Sequence, residues 1–284
     1  MSETKFPSTF IENEFLRLEY LTSVGPRIIG LYSKQADIEL LAPSFEKHWT
    51  TPHGEYYLYC GHRIWKAPED SFYNCPEDNV SVAKDKDRVT LRNAVDASGL
   101  QKEISFSLDE NRVLLTHRLI WHGAEPIELA PWTITQVPLG GVAVLPQSSA
   151  REGSAPTRNL AVFPYASLTD PRLELHDDLF LVHGSADLDA FKIGSYNPFG
   201  WAAYLMEKVL FIKRFPVSDF RMLPDMGSNV EVYVRDEYLE VETLGKLTWL
   251  NPGEAVTFEE TWEVIPGAYS VDLDGARKIM KQLS

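Results

Sequence analysis

The sequence has few cysteines and few basic residues, and both shortages narrow the classes of protein to consider. Only two cysteines, Cys60 and Cys75, occur in 284 residues, which excludes a small disulfide-rich framework. The 27 lysines and arginines are outnumbered by 41 acidic residues, so the formal net charge is −14. A polyanion would be repelled by such a chain. We therefore expect no nucleic-acid partner and no membrane partner, and a neutral small molecule instead.

Long hydrophobic runs and a basic leader are also missing. No 18 consecutive apolar residues occur, and residues 1–5 carry no apolar run behind a basic flank. We therefore expect a cytoplasmic protein, in which two free thiols are favoured and a Cys60–Cys75 disulfide is the alternative. The seven histidines form no close pair with metal-ligand partners, so the sequence predicts no metal site and no cofactor.

Alternation of apolar and polar residues runs through most of the chain. Residues 101–108 and 112–121 show it on either side of the turn Asp109-Glu110-Asn111, which is typical of an antiparallel meander. Only the tail Leu273–Leu283 has helical composition, with Asp272 as its candidate N-cap. The pattern predicts an all-β protein, a large antiparallel β-sandwich or barrel with a short C-terminal helix. No linker or fixed repeat interrupts it, so we expect one domain over residues 1–284.

Residues 61–69, Gly-His-Arg-Ile-Trp-Lys-Ala-Pro-Glu, have the composition of a binding site. They place an imidazole, two cations, a carboxylate and an indole in one short segment. In an extended strand the side chains would divide between two faces, His62, Ile64 and Lys66 on one and Arg63, Trp65 and Ala67 on the other. The alternative interpretation is a surface strand end in which an arginine stem covers a half-buried tryptophan.

A second candidate site lies in a hairpin centred on Asp236-Glu237. If these two residues form the turn, Glu231 lies opposite Glu242 and Tyr233 lies opposite Glu240. Like charges that face each other across a strand pair cost up to about 1 kcal/mol. A cation, a shared proton or a ligand should therefore compensate, and the pKa of one carboxyl would rise toward that of a general base. The alternative is a solvated outer face whose carboxylates point into water.

Four stretches, residues 25–31, 61–69, 238–245 and 250–254, together with Trp262, resemble the galactose mutarotase-like (aldose 1-epimerase-like) superfamily in the same order. Within it, the sequence is similar to a family of proteins of unknown function with a His-Arg-x-Trp-x-x-Pro-Glu signature, and only residues 61–69 are specific. The resemblance implies a galactose mutarotase-like supersandwich whose concave sheet binds a sugar. It implies either an aldose 1-epimerase-like isomerase that uses general acid/base catalysis or a non-catalytic carbohydrate-binding protein on the same fold.

The resemblance also implies roles for residues. Glu242 is similar in position to the base that takes the proton of the anomeric hydroxyl, with Glu240 as its nearby substitute. The family's mid-chain histidine, which protonates the ring oxygen, is absent from the matching residues 131–136, Pro-Trp-Thr-Ile-Thr-Gln. That loss removes a contribution of about 10²–10⁴-fold unless His62 or His117 reaches the site from another strand. We expect His62 to be this acid.

Four further side chains could contact the ligand. Trp65 and Trp132 could lie against the apolar C–H face of a sugar, and core packing is the alternative for each. Lys192, in an apparent Gly/Asn/Pro loop, could donate to hydroxyls or be solvated. Glu69 could bind ligand, act as a second acid in a lyase or hydrolase, or only form a salt bridge with neighbouring cations.

The sequence thus predicts a small-carbohydrate site, in a monomer or homodimer, with catalytic Glu242 and His62 and with the ligand-binding residues Arg63, Trp65, Glu69, Trp132, Lys192, Glu231 and Glu240.

Overall fold

Antiparallel β-strands make up nearly all the regular structure of this chain. The computed structural model describes residues 6–42, 44–59, 61–150, 153–186 and 189–283. Two single-turn 3₁₀ helices, Ser71–Tyr73 and Phe220–Met222, and one α-helix, α1 (Leu273–Leu283), accompany the strands. The strands are β1 (Ser8–Glu12), β2 (Leu16–Leu21), β3 (Ile28–Ser33), β4 (Ile38–Glu39), β5 (His48–Thr51), β6 (Gly54–Tyr57), β7 (His62–Ala67), β8 (Ser81–Asp85), β9 (Arg88–Arg92), β10 (Leu100–Asp109), β11 (Arg112–Trp121), β12 (Ile127–Pro138), β13 (Val142–Pro146), β14 (Ala161–Val162), β15 (Leu173–Leu175), β16 (Leu179–His183), β17 (Phe191–Ser195), β18 (Trp201–Met206), β19 (Val209–Arg214), β20 (Val230–Arg235), β21 (Tyr238–Leu244), β22 (Thr248–Leu250) and β23 (Ala255–Pro266).

These strands form two large sheets that pack face to face. The first sheet has 11 strands in the order β1-β2-β3-β7-β12-β21-β20-β17-β14, with β4 paired to β3 and β22 paired to β12. The second has 10 strands in the order β15-β16-β13-β18-β19-β23-β11-β10-β9-β8, and β5 and β6 form a separate hairpin. Two open sheets with a shared core make a sandwich, so the predicted all-β sandwich is confirmed and the barrel alternative is wrong.

The core forms because alternate residues of each strand point between the sheets. In β23, the apolar Val256, Phe258, Trp262 and Val264 are buried together with Glu260, while the odd-numbered residues between them are more exposed. These apolar side chains meet buried residues of the first sheet such as Val241 in one continuous cluster. Burying each such side chain contributes about 1.5–3 kcal/mol, which holds the two sheets together.

The predicted meander and helix are both confirmed. Strands β9, β10 and β11 pair in sequence order. Helix α1 begins where predicted, because the Asp272 carboxylate accepts a hydrogen bond of 2.8 Å from the Gly275 N–H. Its buried Ala276 and Ile279 pack on the outer face of the second sheet. Within the described ranges, no helix is long and apolar enough to cross a bilayer.

Lys192 lies in strand β17 and not in the Gly/Asn/Pro loop that its sequence context indicated. Strand β13, which follows Gly140-Gly141, resembles β17 in its burial. Both strands are buried throughout, so they lack the alternation that marks a half-buried strand. The thiol of Cys75 is buried, and Cys60 lies outside the described residues, so the state of this pair stays a prediction.

Candidate functional site

The outward face of the first sheet forms a cavity of about 420 Å³ near its centre. Strands β7, β12, β21, β20 and β17 are consecutive neighbours there. Because successive side chains of a strand point to opposite faces, Arg63 and Trp65 line the cavity while Ile64 enters the core between the sheets. The hairpin β5–β6 covers one side of this face, with Trp49 packed edge-on against Trp65. The 61–69 segment and the late glutamates therefore meet in one open hollow.

The hairpin register is the one that the sequence predicts. Glu231 pairs with Glu242 and Tyr233 pairs with Glu240, and the two strands are joined through residues 236 and 237. Ile134 of β12 lies opposite both Glu242 and Arg63. This register brings the carboxylates of β21 next to the cation of β7.

A buried lysine compensates the two facing carboxylates. Lys192 Nζ lies 2.7 Å from Glu231 Oε2 and 2.9 Å from Glu242 Oε2. Burial alone would lower the pKa of the Lys192 ammonium, but Glu242 and Glu231 outweigh it and raise that pKa above its usual range. Burial raises the pKa of the Glu231 carboxyl well above its ordinary value. Of the three compensations considered from sequence, the structure shows a cation, and the raised pKa of Glu231 favours a proton on that carboxyl as well.

Glu231 is fully buried behind this lysine and is not part of the cavity wall. Its predicted contact with ligand is therefore corrected. Its carboxyl group contacts Lys192, which does line the cavity. Alternation alone did not reveal the burial of Glu231, because it places this residue on the same face as Tyr233, which lines the cavity.

Glu242 is held firmly but keeps one oxygen free. Its Oε2 accepts a hydrogen bond of 2.6 Å from Trp132 Nε1 as well as the bond from Lys192. Its Oε1 is buried and has no hydrogen-bond partner among the described residues. Since Glu242 lines the cavity, the arrangement leaves one oriented acceptor on a residue of its wall.

Arg63 provides the matching donors. Its Nη2 forms an ion pair of 3.0 Å with Glu240 Oε1, and its guanidinium lies 4.4 Å from the Trp65 ring centre. Burial alone would lower the pKa of Arg63, but Glu240 outweighs that effect, so the side chain stays a cation. Its Nε and Nη1 are buried, and no partner for either occurs in the described part of the chain. The side chain is only 2% exposed.

Trp65 and Trp132 line the cavity, but each is buried and has a cation over its ring. Lys192 Nζ lies 4.3 Å from the Trp132 ring centre, and the Arg63 guanidinium lies 4.4 Å from that of Trp65. The two indoles therefore mainly orient the cations and the carboxylate. The more exposed aromatic surface comes from Tyr165, which is 52% exposed.

The indole of Trp65 is itself anchored from below. Trp65 Nε1 donates to the Tyr56 hydroxyl at 2.7 Å, and Arg27 Nη2 donates to the same oxygen at 2.5 Å. Tyr56→Phe is expected to leave the buried Trp65 N–H unpaired, whereas Arg27 Nη2 keeps its ion pair with Glu77, and to lower the free energy of unfolding by about 1–3 kcal/mol. Urea unfolding checks this, with the exposed Tyr57→Phe as the matched control. Equal unfolding midpoints for the two variants would contradict the anchoring role.

Glu69 lies at the open side of the cavity without a partner. The expected salt bridge is not formed, because Arg63 pairs with Glu240 and Lys66 Nζ donates to the Pro68 carbonyl at 2.7 Å. Across residues 6–283, apart from the undescribed positions, no group donates a hydrogen bond to the Glu69 carboxyl. Desolvation by the cavity wall raises the pKa of that carboxyl.

His62 does not lie in this cavity. It occupies the opposite face of β7, is fully buried, and points between the two sheets. His62 Nε2 lies 2.7 Å from His117 Nε2, and His62 Nδ1 lies 2.9 Å from Thr135 Oγ1. The expectation that His62 works beside Glu242 is therefore corrected, and His117 is buried with it in the core.

The hydrogen bonds of this histidine pair fix where its protons are. His117 Nδ1 lies 3.1 Å from the Phe258 carbonyl oxygen, which can only accept, so His117 carries its proton there. His117 Nε2 then accepts from His62 Nε2, and both rings are neutral. Burial lowers the pKa of His117 to about 4, and it lowers the pKa of His62 well below its usual value.

The possible ligand atoms of Glu260, His62 and His117 lie within 4.8 Å of one another, which is close enough for the three groups to bind one metal ion. However, Lys213 Nζ lies 3.3 Å from Glu260 Oε1, and the hydroxyls of Thr133 and Thr243 donate to the same oxygen. A cation is thus already paired with the carboxylate. The donor set fits a buried hydrogen-bond network that joins the two sheets.

Sequence reasoning missed several residues of the cavity wall. Tyr233 and Arg235 could have been found, because they alternate with Glu231 on the polar face of the predicted hairpin. Trp49 and Tyr165 come from segments distant in sequence, and no local pattern indicates that they converge on this sheet.

Comparisons with known proteins support the fold. No family model matches the chain, and no curated protein matches it by sequence. Solved structures do match. A galactose mutarotase-like protein from Lactobacillus casei is 12% identical, with a TM-score of 0.57 over 91% of this chain and 100% of that one. A galactose mutarotase related enzyme from Lactobacillus acidophilus is 12% identical, with a TM-score of 0.54 over 94% and 100%. The chain therefore has the galactose mutarotase-like sandwich fold.

Proposed function

We propose that this protein binds a monosaccharide or a sugar derivative in the cavity and interconverts its anomers. One observation carries the proposal: the buried, unpartnered donors of Arg63 and the buried, unpartnered acceptor of Glu242 line the same cavity. Leaving a buried polar group unpaired costs about 1–3 kcal/mol. A ligand rich in hydroxyl groups satisfies both kinds of atom, because each hydroxyl donates one hydrogen bond and accepts others.

The arrangement around Glu242 suits a base. Trp132 and Lys192 hold Oε2, so the carboxylate cannot rotate freely, and Oε1 remains available to take a proton. A sugar bound to Arg63 would share the cavity with this carboxylate. Taking the proton of an anomeric hydroxyl would allow the ring to open and close again on either face. A structurally similar protein is named as an enzyme related to galactose mutarotase, which supports a sugar as the ligand class.

A non-catalytic carbohydrate-binding protein is the second candidate. The observation that favours it is that no histidine lines the cavity in the described residues, so the ring-oxygen acid of the related enzymes has no direct counterpart. The cavity would still bind hydroxyls in that case. The two candidates differ only in turnover.

Exchange between anomers, followed by NMR for glucose, galactose and their phosphates, tests the proposal. The wild-type protein is expected to accelerate exchange for at least one sugar, and Glu242→Gln is expected to lose about 10²–10⁴-fold of that acceleration. Glu259→Gln, an exposed glutamate of the second sheet, is the matched control and should behave as wild type.

Thermal shift with the same sugars separates the candidates. Stabilisation by a sugar without acceleration supports the binding protein. No stabilisation and no acceleration with any of them, or an unaltered rate in Glu242→Gln, argues against Glu242 as the base of an anomerase.

A further inference from the structure

Opening a sugar ring in this cavity requires a proton donor as well as a base. The ring oxygen must be protonated as the anomeric hydroxyl loses its proton, and a positioned acid contributes about 10²–10⁴-fold. His62 and His117 lie on the other side of the sheet, in the core. The donor must therefore come from another residue of the wall. This inference rests on the function proposed above.

Most ionisable groups of the wall are unsuitable donors near neutral pH. Arg63 and Lys192 are permanent cations, because adjacent carboxylates raise the pKa of both above the usual range. Burial raises the pKa of the phenols of Tyr165 and Tyr238, so each holds its proton more tightly than a free phenol. A side chain that rarely releases its proton is a poor general acid.

The carboxyls of the wall differ in how strongly they are held. Glu240 is bound to Arg63, and Glu242 is bound to Trp132 and Lys192. Glu69 has neither a cation nor a hydrogen-bond donor in contact with it in the described chain, although it lines the same cavity. Burial outweighs Arg63 and raises the pKa of the Glu240 carboxyl too, but the ion pair with Arg63 occupies one of its oxygens. Of these three carboxyls, Glu69 is the one with both oxygens open to a ligand, which suits it to a role opposite to that of Glu242.

We propose that Glu69 is the catalytic acid that protonates the ring oxygen. Glu242 Oε1 takes the proton of the anomeric hydroxyl, the electrons of that O–H bond form the carbonyl, and the bond between C1 and the ring oxygen breaks onto the oxygen. The ring oxygen takes the proton of the Glu69 carboxyl. Glu242 is then protonated and Glu69 ionised. Rotation about C1–C2 and reversal of every step give the other anomer and restore both carboxyls.

The charges that face Glu69 set the pH range in which it can act. Lys192 of β17 and Arg63 of β7 favour its ionised form, whereas Glu242 of β21 and Asp225, in the loop before β20, favour its protonated form. Its pKa is raised on balance, because desolvation is the largest effect. The rate is therefore expected to fall on the alkaline side as Glu69 loses its proton.

Glu69→Gln tests the proposal with the sugar that wild type turns over fastest in the NMR exchange assay. We expect kcat to fall by about 10²–10⁴-fold and the alkaline limb of the pH profile to disappear. Glu69→Asp should recover part of kcat together with that limb. Sugar affinity in Glu69→Gln should stay within about tenfold of wild type, since an amide still forms hydrogen bonds. Glu14→Gln, exposed and outside the cavity wall, should match wild type.

The outcomes distinguish the two proposals. If wild type is active and Glu69→Gln keeps its kcat and its alkaline limb, Glu69 is not the acid while the proposed function stands. If Glu69→Gln loses kcat and affinity equally, Glu69 binds ligand and is not the acid. If wild type accelerates exchange of no sugar, the anomerase proposal fails, and the role of Glu69 fails with it.

Discussion

Replacing Lys192 with methionine is expected to lower the free energy of unfolding by about 3–5 kcal/mol and to remove sugar binding. The reason is that the ammonium lies 2.7 Å and 2.9 Å from two buried carboxylates that face each other across a strand pair. Without it, Glu231 and Glu242 lose their common countercharge, and the carboxylate that faces the cavity loses its orientation. Urea unfolding and a sugar titration of the same samples measure both effects.

Two further variants make this result specific. Adding Glu231→Gln to Lys192→Met removes one of the two facing charges, so it is expected to recover part of the lost stability. Lys208→Met removes an exposed lysine from a strand connection and should change stability by less than about 0.5 kcal/mol. If Lys192→Met unfolds at the wild-type urea concentration, the lysine does not balance the two carboxylates.

Acidification from pH 6.5 to about 4 is expected to destabilise the protein through the buried pair His62 and His117. The unfolded chain binds a proton on each imidazole below about pH 6.5. The native pKa of His117 is about 4, and that of His62 is also well below its usual value, because burial disfavours both imidazolium forms. The unfolded state therefore binds more protons in this range, so stability falls as pH falls. For His117 alone the loss is roughly 3 kcal/mol.

The pH dependence of urea unfolding in His117→Asn measures this contribution. The asparagine amide can still donate to the Phe258 carbonyl, but it does not titrate. Between pH 4 and 6.5, unfolding should then take up about one proton fewer than in wild type. The slope of the unfolding free energy against pH should therefore decrease by about 1.4 kcal/mol per pH unit. His122→Asn, at an exposed histidine, is the matched control. The Lys213–Glu260 pair remains in every variant, and an unchanged slope in His117→Asn would contradict the assignment of a neutral pair.

Local periodicity was sufficient to predict the hairpin and its charge conflict. A two-residue turn after Arg235 fixes every pair from Glu231–Glu242 onward, because strand pairing has no freedom once the turn is set. That a cation compensates the pair could be expected from electrostatics. The sequence could not predict that the cation is Lys192. This residue belongs to β17, a strand without alternation, and only the order of strands in the sheet places β17 beside the hairpin.

The error on His62 has a different origin. Alternation correctly places His62 and Arg63 on opposite faces of β7, but it does not tell which face meets the second sheet. That is decided by tertiary packing, since both faces of this strand are buried. An imidazole on one face of the strand and an indole on the other give no local preference for core or cavity. Tyr165 and Trp49 could not be placed for a related reason, because distant segments bring them to the wall.

A crystal structure of the protein soaked with mixed monosaccharides tests the central claim most directly. The account predicts a sugar in the cavity of the first sheet, with hydroxyl groups within hydrogen-bond distance of Arg63 Nη1 or Nε and of Glu242 Oε1. An empty cavity at sugar concentrations that produce a thermal shift, or a sugar bound elsewhere on the surface, would contradict it.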